Sequence, residues 1–278
     1  MKLITTDDQV RHNIPNVLVT VEGEATLLEK LTPFIEQAET WLATNFTSSE
    51  LLQAIAAEQG TPLKELCTRI VITEAFRAAI PSLDVILTPN GFGIVNNSTV
   101  VPASRDRVER LILSLESARD ELQITLLRLL PAHQEWLATE QAAYFSSTMF
   151  PNISMCREIG IRDHLWQEYQ AFVPQLQNIE RVLAETYFSE AQMQVFRQVA
   201  MEWSPATLPI VRSVIINIRQ LILLLLTKHS LHVQQYYDVV NIIRQHPDEF
   251  PEWHNSPTAE LYSPAVFENK KKSGGYWF

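Results

Sequence analysis

The chain is poor in cysteine and glycine, with 2 and 7 of them among its 278 residues. A chain long enough to bury its own core has little need of a disulfide, so Cys67 and Cys156 are predicted to be small buried thiols. Two of the glycines, Gly91 and Gly93, stand in the stretch VILTPNGFGIVNN, residues 85–97, whereas most of the chain has helical periodicity. This stretch is therefore the main irregularity in a helical sequence.

Basic side chains are outnumbered, since 22 Lys and Arg face 32 Asp and Glu, a formal net charge of -10. Affinity for nucleic acids depends on Lys and Arg that neutralise phosphates, so no specific nucleic-acid binding is expected. The most apolar segment, residues 215–227, is uninterrupted only from Leu221 to Leu226, too short to span a bilayer. The first residues lack the apolar region of a signal peptide. These features predict a soluble, cytoplasmic protein without a membrane span.

The sequence also lacks the motifs of known chemistry, including GxGxxG, the P-loop, HExxH and CxxC. His229 and His232 are spaced as two metal ligands on one helical face would be, but no carboxylate of matching spacing accompanies them. They are better explained as histidines at a helix end, where the helix dipole favours them. Apolar neighbours surround both cysteines, which argues against a Cys–His nucleophile. We therefore expect no enzyme, no catalytic residue, no metal and no cofactor.

Apolar residues recur at three- and four-residue spacing over most of the chain, which is typical of amphipathic helices. Capping boxes, such as Thr6 with Gln9 and Ser189 with Gln192, mark several helix starts. The predicted fold class is mainly α, a helical bundle with one small β-hairpin near residues 85–95. Helices are predicted at residues 7–13, 24–46, 50–59, 63–80, 105–130, 133–147, 163–172, 174–187, 189–203, 209–229 and 232–245.

A weak internal repeat divides the chain. The segment PFIEQAETWLATNFTSSE, from Pro33, resembles PQLQNIERVLAETYFSE, from Pro174, at an offset of 141 residues. The segments LLRLLP and IIRQHP match at an offset of 116, and a Glu-Trp pair follows each of them. The two offsets differ by about the length of the hairpin segment, so the hairpin is interpreted as an insertion into the first of two duplicated modules. Chance similarity between amphipathic helices is the alternative.

This repeat gives the predicted domain organisation. The first helical module, with the hairpin insertion, covers residues 1–131, and the second covers residues 132–253. An irregular C-terminal tail follows at residues 254–278. The tail contains Lys270-Lys271-Lys272 and ends in three aromatic residues.

Three segments are predicted to form contacts with other proteins, because exposed aromatic and apolar side chains often mark interfaces. They are the tip of the hairpin, the loop TMFPNIS at residues 148–154, and the end of the tail. For the tail, packing on its own core and disorder are the alternatives. The candidate interface residues are Phe92, Met149, Phe150, Ile153, Tyr276, Trp277 and Phe278.

The stretches LDVILTPNGFGIVNN, PASRDRVERL and ENKKKSGGYWF resemble a protein family of phages and prophages from gut anaerobes that carries no assigned chemistry. The first module is also similar to the helical head–tail connector, or adaptor, proteins of tailed phages. That similarity covers a helix with Ala38 and Leu42, followed by an apolar helix over Leu66 to Ala79 and then a long one. The chain is longer than those adaptors and its hairpin matches none of their motifs, so no site residue is transferred.

The resemblance implies a structural part of a virion. Such a subunit would form a ring with copies of itself and contact phage portal or tail proteins, and it would be incorporated in the particle after synthesis in the host cytoplasm. The alternative is a helical interaction or regulatory protein of a mobile element, with no virion role.

Overall fold

The computed structural model of the chain is built mainly of α-helices, which confirms the mainly α part of the predicted fold class for the residues that it describes. Those residues are 2–14, 25–83, 85–88, 91–94, 104–230 and 232–263, with the backbone alone at 85–88 and 91–94. Contacts divide the chain into two compact units. The first comprises Met1–Gln177 with Arg197–Pro205, and the second comprises Asn178–Phe196 with Ala206–Phe278.

The helices of the first unit begin where the sequence provides caps. Thr6 accepts a hydrogen bond from the Gln9 N–H while the Gln9 side chain returns to Thr6, a complete capping box at the predicted place. Thr26 and Glu29 form a second one. The helices are α1 (Asp7–Asn13), α2 (Leu27–Leu42), α3 (Ser49–Ala57), α4 (Pro62–Leu83), α5 (Arg105–Leu129), α6 (Gln134–Leu137), α7 (Glu140–Phe145) and α8 (Met155–Glu158).

The core of the first unit is centred on α4, which packs against α2 and α5. Its residues from Leu63 to Ile80 are buried on several faces, as expected of a helix with neighbours on more than one side. Pro81 lies inside the last turn of α4, although the sequence predicts that it ends the helix.

Two short strands follow α4. The strands β1 (Val85–Thr88) and β2 (Gly91–Ile94) pair antiparallel through their backbones, with Val85 opposite Ile94 and Thr88 opposite Gly91. The interpretation of this segment as a hairpin inserted into a repeated module stays a prediction.

The remaining helices belong to the second unit, except that α9 up to Gln177 and α10 from Arg197 lie in the first. In this unit α11 packs against α12. The helices are α9 (Leu165–Leu183), α10 (Glu190–Met201), α11 (Pro209–Lys228), α12 (Val233–Gln245), α13 (Pro251–His254) and α14 (Pro257–Leu261).

The helix α11 contains the most apolar segment of the sequence, residues 215–227. By length and composition it is the one helix of the described chain that could cross a bilayer, and 33% of its most apolar window is buried. Ile216 is 41% exposed, whereas Ile215 and Ile218 are fully buried. The helix therefore contributes one face to the core of the second unit and leaves another partly exposed.

Four features of the chain differ from the predictions. Pro174 does not separate two helices, because α9 continues through it. The predicted helix at 133–147 is two short helices, since Thr139 caps a new helix at Glu140. Contacts group residues 132–177 with the first unit, whereas the predicted domain boundary lies at residue 131. The organisation into two duplicated modules stays a prediction. The start of the predicted irregular tail is helical, in α13 and α14, and residues 264–278 lie outside the described residues.

Candidate functional site

The interface candidates of the loop at residues 148–154 lie inside the protein. Met149, Phe150 and Ile153 are fully buried. The Tyr169 hydroxyl donates a hydrogen bond to the backbone oxygen of Phe150 at 2.8 Å, and the Thr148 hydroxyl accepts one from the Phe150 N–H at 3.2 Å. The prediction that these three apolar side chains are exposed for a partner is therefore wrong, because the loop anchors them in its own core.

The other interface candidates remain predictions. The Phe92 side chain lies outside the described residues, as do Tyr276, Trp277 and Phe278 at the end of the tail. No predicted interface residue is therefore both described and exposed. The candidate site lies elsewhere, at the ends of α2 and α9.

The end of α2 has an unusual backbone. The helix widens into a π-helical turn, Ala43–Thr47. The next residue, Ser48, has φ 91° and ψ 159°, a conformation that residues other than glycine rarely adopt. Its hydroxyl accepts a hydrogen bond from the Leu51 N–H at 3.2 Å and caps α3. The strain at Ser48 is held by the contacts of the turn on either side.

A tryptophan from a distant part of the chain binds this turn. Trp136, fully buried in α6, donates from Nε1 to the backbone oxygen of Phe46 at 2.7 Å. The rings of Phe46 and Phe145 lie 5.8 Å apart, and those of Trp136 and Phe145 lie 6.5 Å apart. Thr139 caps α7 by accepting from the Ala142 N–H at 3.2 Å. These contacts fix α6 and α7 to the end of α2.

The second unit contains the same arrangement. A π-helical turn, Ala184–Phe188, ends α9, and the following Ser189 has φ 61° and ψ 153°. Trp253 donates from Nε1 to the backbone oxygen of Tyr187 at 2.8 Å. The ring of Tyr262 lies 6.5 Å from that of Tyr187 and 6.2 Å from that of Trp253. Each contact of the first unit thus has a counterpart in the second.

The helix caps correspond as well. Ser189 accepts from the Gln192 N–H at 3.2 Å, as Ser48 does from Leu51. Ser256 caps α14, as Thr139 caps α7. The order of the helices from α2 to α7 is also that from α9 to α14, and residues 229–232 join α11 to α12 where residues 84–104 join α4 to α5. The structural match therefore extends along the whole module.

A cleft of about 680 Å³, here called the first cleft, opens where α2 ends and where α3, α6 and α7 begin. Its floor is apolar and includes the buried side chains of Leu51, Ile55 and Leu63. In the described part of the chain, no Lys or Arg lines the first cleft, and its lining contains one histidine, His133. Its rim carries four exposed carboxylates, Glu50, Glu58, Glu135 and Glu140.

The second unit has a corresponding cleft of about 520 Å³, here called the second cleft. Its charge is more balanced, because the Arg181 guanidinium lies in its lining and pairs with Glu185 at 3.0 Å. Its lining residues occupy the positions that line the first cleft: Ala184, Ser189, Glu190, Glu252 and Ser256 correspond to Ala43, Ser48, Ser49, Glu135 and Thr139.

The chemistry of the first cleft suits binding. Glu50 and Glu140 lie in the first turns of α3 and α7, where the helix dipole favours a negative charge. An apolar floor inside an acidic rim is complementary to a segment that carries apolar and basic side chains. The sequence signals for this cleft were the two serine caps and the two Glu-Trp pairs, but neither indicated a cleft.

A buried ionic network lies elsewhere in the first unit, and no local sequence signal predicts it. Arg119 on α5 is 2% exposed, and its guanidinium donates to Glu74 at 2.9 Å, to Asp120 at 2.9 Å and to Glu116 at 3.1 Å. The guanidinium carbon also lies 5.5 Å from the centre of the Trp41 ring. Because the charges are paired and largely excluded from water, the network holds α2, α4 and α5 in register.

The electrostatics of this network follow from burial and from its arginines. Burial opposes the charge of Glu74, but hydrogen bonds and charge from Arg77 and Arg119 hold its pKa below the ordinary value. Burial raises the pKa of Asp120 even though Arg119 lies beside it. Asp120 also accepts from the Leu165 N–H at 3.2 Å, which fixes the start of α9. We assign the network a structural role.

The cysteines are both buried, as predicted. Burial raises the pKa of the Cys67 thiol to about 12 and that of the Cys156 thiol to about 12, so both are protonated at neutral pH. His229 and His232 lie at helix ends, as expected: His229 follows the last residue of α11 with φ 49°, and His232 precedes α12. In the described part of the chain, no group of three or more His, Cys, Asp or Glu could hold a metal ion.

Comparison with known proteins adds one match. The model of a family of unknown function (DUF6712) matches residues 18–146, so the chain is similar to that family over the range that contains α2 to α7. No curated protein and no solved structure matches the chain. The matched range ends just after α7, at the end of the first structural module rather than at residue 131.

Proposed function

We propose that the chain is a non-enzymatic structural protein, a head–tail connector-like subunit of a phage or prophage particle that assembles into a ring. The observation that carries this proposal is the cleft that is built twice, with the same π-helical turn, strained serine and tryptophan hydrogen bond. Two modules that each carry such a cleft offer a subunit repeated places to contact its neighbours. The resemblance of the hairpin and tail stretches to phage proteins is the reason for proposing that the ring belongs to a phage particle.

The same proposal includes a duplication of the module. In this interpretation α2 to α7 and α9 to α14 descend from one ancestral unit, and the strand pair is an insertion present in the first copy. The matching hydrogen bonds of Trp136 and Trp253 support it, because leucine spacing alone does not place an indole N–H on the carbonyl of a π-helical turn. Chance similarity of amphipathic helices gives no reason for that match.

The proposal is tested by negative-stain electron microscopy of the purified chain, alone and mixed with a candidate portal protein. A closed ring of subunits in either sample is the expected result, since repeated head-to-tail contacts close into a ring when the rotation allows it. Single particles of one chain in both samples would overturn the proposal. That result would favour the alternative, a helical interaction or regulatory protein of a mobile element.

A further inference from the structure

We propose that the C-terminal segment of one copy, residues 264–278, docks in the first cleft of a second copy. This inference rests on the proposed function, because it supplies the contact that joins one subunit to the next. It commits the first cleft to one occupant, a segment of this same chain, and it assigns a task to the basic and aromatic residues at the end of the sequence.

The segment has the chemistry that the first cleft accepts. Its sequence is PAVFENKKKSGGYWF, and Lys270-Lys271-Lys272 is the only run of three basic residues in the chain. Aromatic and aliphatic side chains flank the lysines, with Phe267 before them and Tyr276, Trp277 and Phe278 after them. In a chain with a net charge of -10, this segment is the clearest partner for an acidic surface.

The first cleft has the complementary surface. In the described part of the chain no ion-pair partner lies beside Glu50, Glu135 or Glu140, so these carboxylates are available to lysines. The apolar floor with Leu51 and Ile55 offers burial to an aromatic side chain from the segment. Its volume of about 680 Å³ lies in the range of sites that hold a ligand or a short peptide.

The charge also distinguishes the first cleft from the second. The second cleft has three carboxylates in its lining, Glu185, Glu190 and Glu252, and Arg181 pairs with Glu185 and makes its charge less negative than that of the first cleft. The first cleft has four carboxylates on its rim and no Lys or Arg among its described lining residues. The first cleft is therefore the better acceptor, although both are built on the same plan.

The geometry of a chain end in a neighbour's cleft fits a ring. Such a contact is heterologous, because the tail of one copy meets a different surface on the next, and heterologous contacts generate a closed ring when the rotation between copies closes. The segment follows α14 and Ser263 and, at about 3.3 Å per extended residue, can reach up to roughly 50 Å. That reach allows the segment to extend to a second copy.

A charge-swap experiment on the full chain tests the docking. One variant reverses the tail with Lys270→Glu, Lys271→Glu and Lys272→Glu. The other reverses the cleft with Glu50→Lys, Glu135→Lys and Glu140→Lys. A control variant makes three acidic-to-lysine changes at exposed positions of the first unit outside the cleft, Glu65→Lys, Asp106→Lys and Asp163→Lys. The mass of each protein is measured by light scattering across a concentration series, and circular dichroism checks the helical content.

Each reversed variant should need at least about a tenfold higher concentration to assemble, since three opposite-charge contacts become repulsive. The control should assemble as the unmodified chain does. A one-to-one mixture of the two reversed variants should regain the assembled mass, because each tail then meets a cleft of opposite charge on the other protein. A tail that docks in its own copy gains nothing from mixing.

The other outcomes separate the two proposals. If both reversed variants assemble like the unmodified chain, tail docking is wrong while the connector-like assembly stands. If the mixture stays unassembled although both variants keep their helical content, docking between copies is also wrong. If the unmodified chain never assembles, alone or with a portal protein, both proposals fail. Should the cleft variant not fold, the tail variant still decides, because its substitutions follow the last described helix.

Discussion

Replacing Trp136 with phenylalanine should lower the free energy of unfolding by about 2–4 kcal/mol. The indole N–H bonds to the Phe46 carbonyl at 2.7 Å inside the core, and phenylalanine offers no donor. A buried carbonyl left without its partner costs about 1–3 kcal/mol, and the smaller ring leaves a cavity that costs about 1 kcal/mol more. The loss should therefore exceed that of a substitution that removes packing alone.

Phe145→Leu is the matched control for packing. Its ring contacts Trp136 and Phe46, but it donates no hydrogen bond, so this variant should lose only about 1 kcal/mol. Trp253→Phe is the matched variant of the second unit and should cost as much as Trp136→Phe. The double tryptophan variant should show additive losses, since the two sites share no partner.

Urea unfolding followed by far-ultraviolet circular dichroism measures these differences, with each unit fitted separately if two transitions are resolved. A loss below about 0.5 kcal/mol for Trp136→Phe would refute the reasoning. So would a loss no larger than that of Phe145→Leu, because the indole hydrogen bond would then contribute nothing to holding the π-helical turn.

Three further predictions follow from single sites. Ser48→Ala should destabilise the chain by about 1–2 kcal/mol in urea unfolding, because alanine loses the cap and keeps the backbone at positive φ. Ser48→Gly should change the free energy of unfolding by no more than about 0.5 kcal/mol, because glycine adopts this backbone without strain. Equal losses for the two variants would contradict this prediction. Burial raises the pKa of Glu39, so its ionisation costs stability as the pH rises through the folded-state pKa. The advantage of Glu39→Gln over the unmodified chain in melting temperature should therefore grow as the pH rises from about 4 to about 7. An advantage that is largest at acidic pH and disappears at pH 7 would contradict this prediction. Burial raises the pKa values of Cys67 and Cys156 to about 12, so a thiol reagent at about pH 8 should label both only after unfolding, and rapid labelling of the folded chain would exclude this burial.

The local signals of the sequence predicted the helices and several of their starts. The capping box at Thr6 and the cap at Ser189 depend on residues three positions apart, so they can be identified without the fold. Pro174 was interpreted as a helix boundary because proline removes an N–H donor, but α9 continues through it. Local sequence reasoning accounts for the hydrogen bond that an interior proline removes. It does not account for the packing of α9, which offsets that loss.

The candidate site was much less predictable. The predicted module boundary at residue 131 separates Trp136 from Phe46, yet the Trp136 indole bonds to the Phe46 carbonyl, which lies 90 positions earlier. A contact at that sequence distance has no local signal. Burial of Met149 and Phe150 also has no local signal. An apolar residue in a loop gives the same sequence pattern whether it contacts a partner or packs into the core of its own chain.

The internal repeat was the most informative sequence feature. An offset of 141 residues already aligned Phe46 with Tyr187 and Ser48 with Ser189, and both pairs occupy matching places in the structure. What the alignment lacked was the reason for the match. The strained backbone of the serines and the indole hydrogen bonds are properties of folded modules, and they show that the two segments are built alike.

The most direct test of the account is the mass of the purified chain in solution, measured by light scattering across a concentration series with and without a candidate portal protein. The account predicts a discrete assembly whose mass is a whole multiple of that of one chain and whose formation weakens as salt screens the acidic cleft. A mass equal to one chain at every concentration, in both samples, would contradict it.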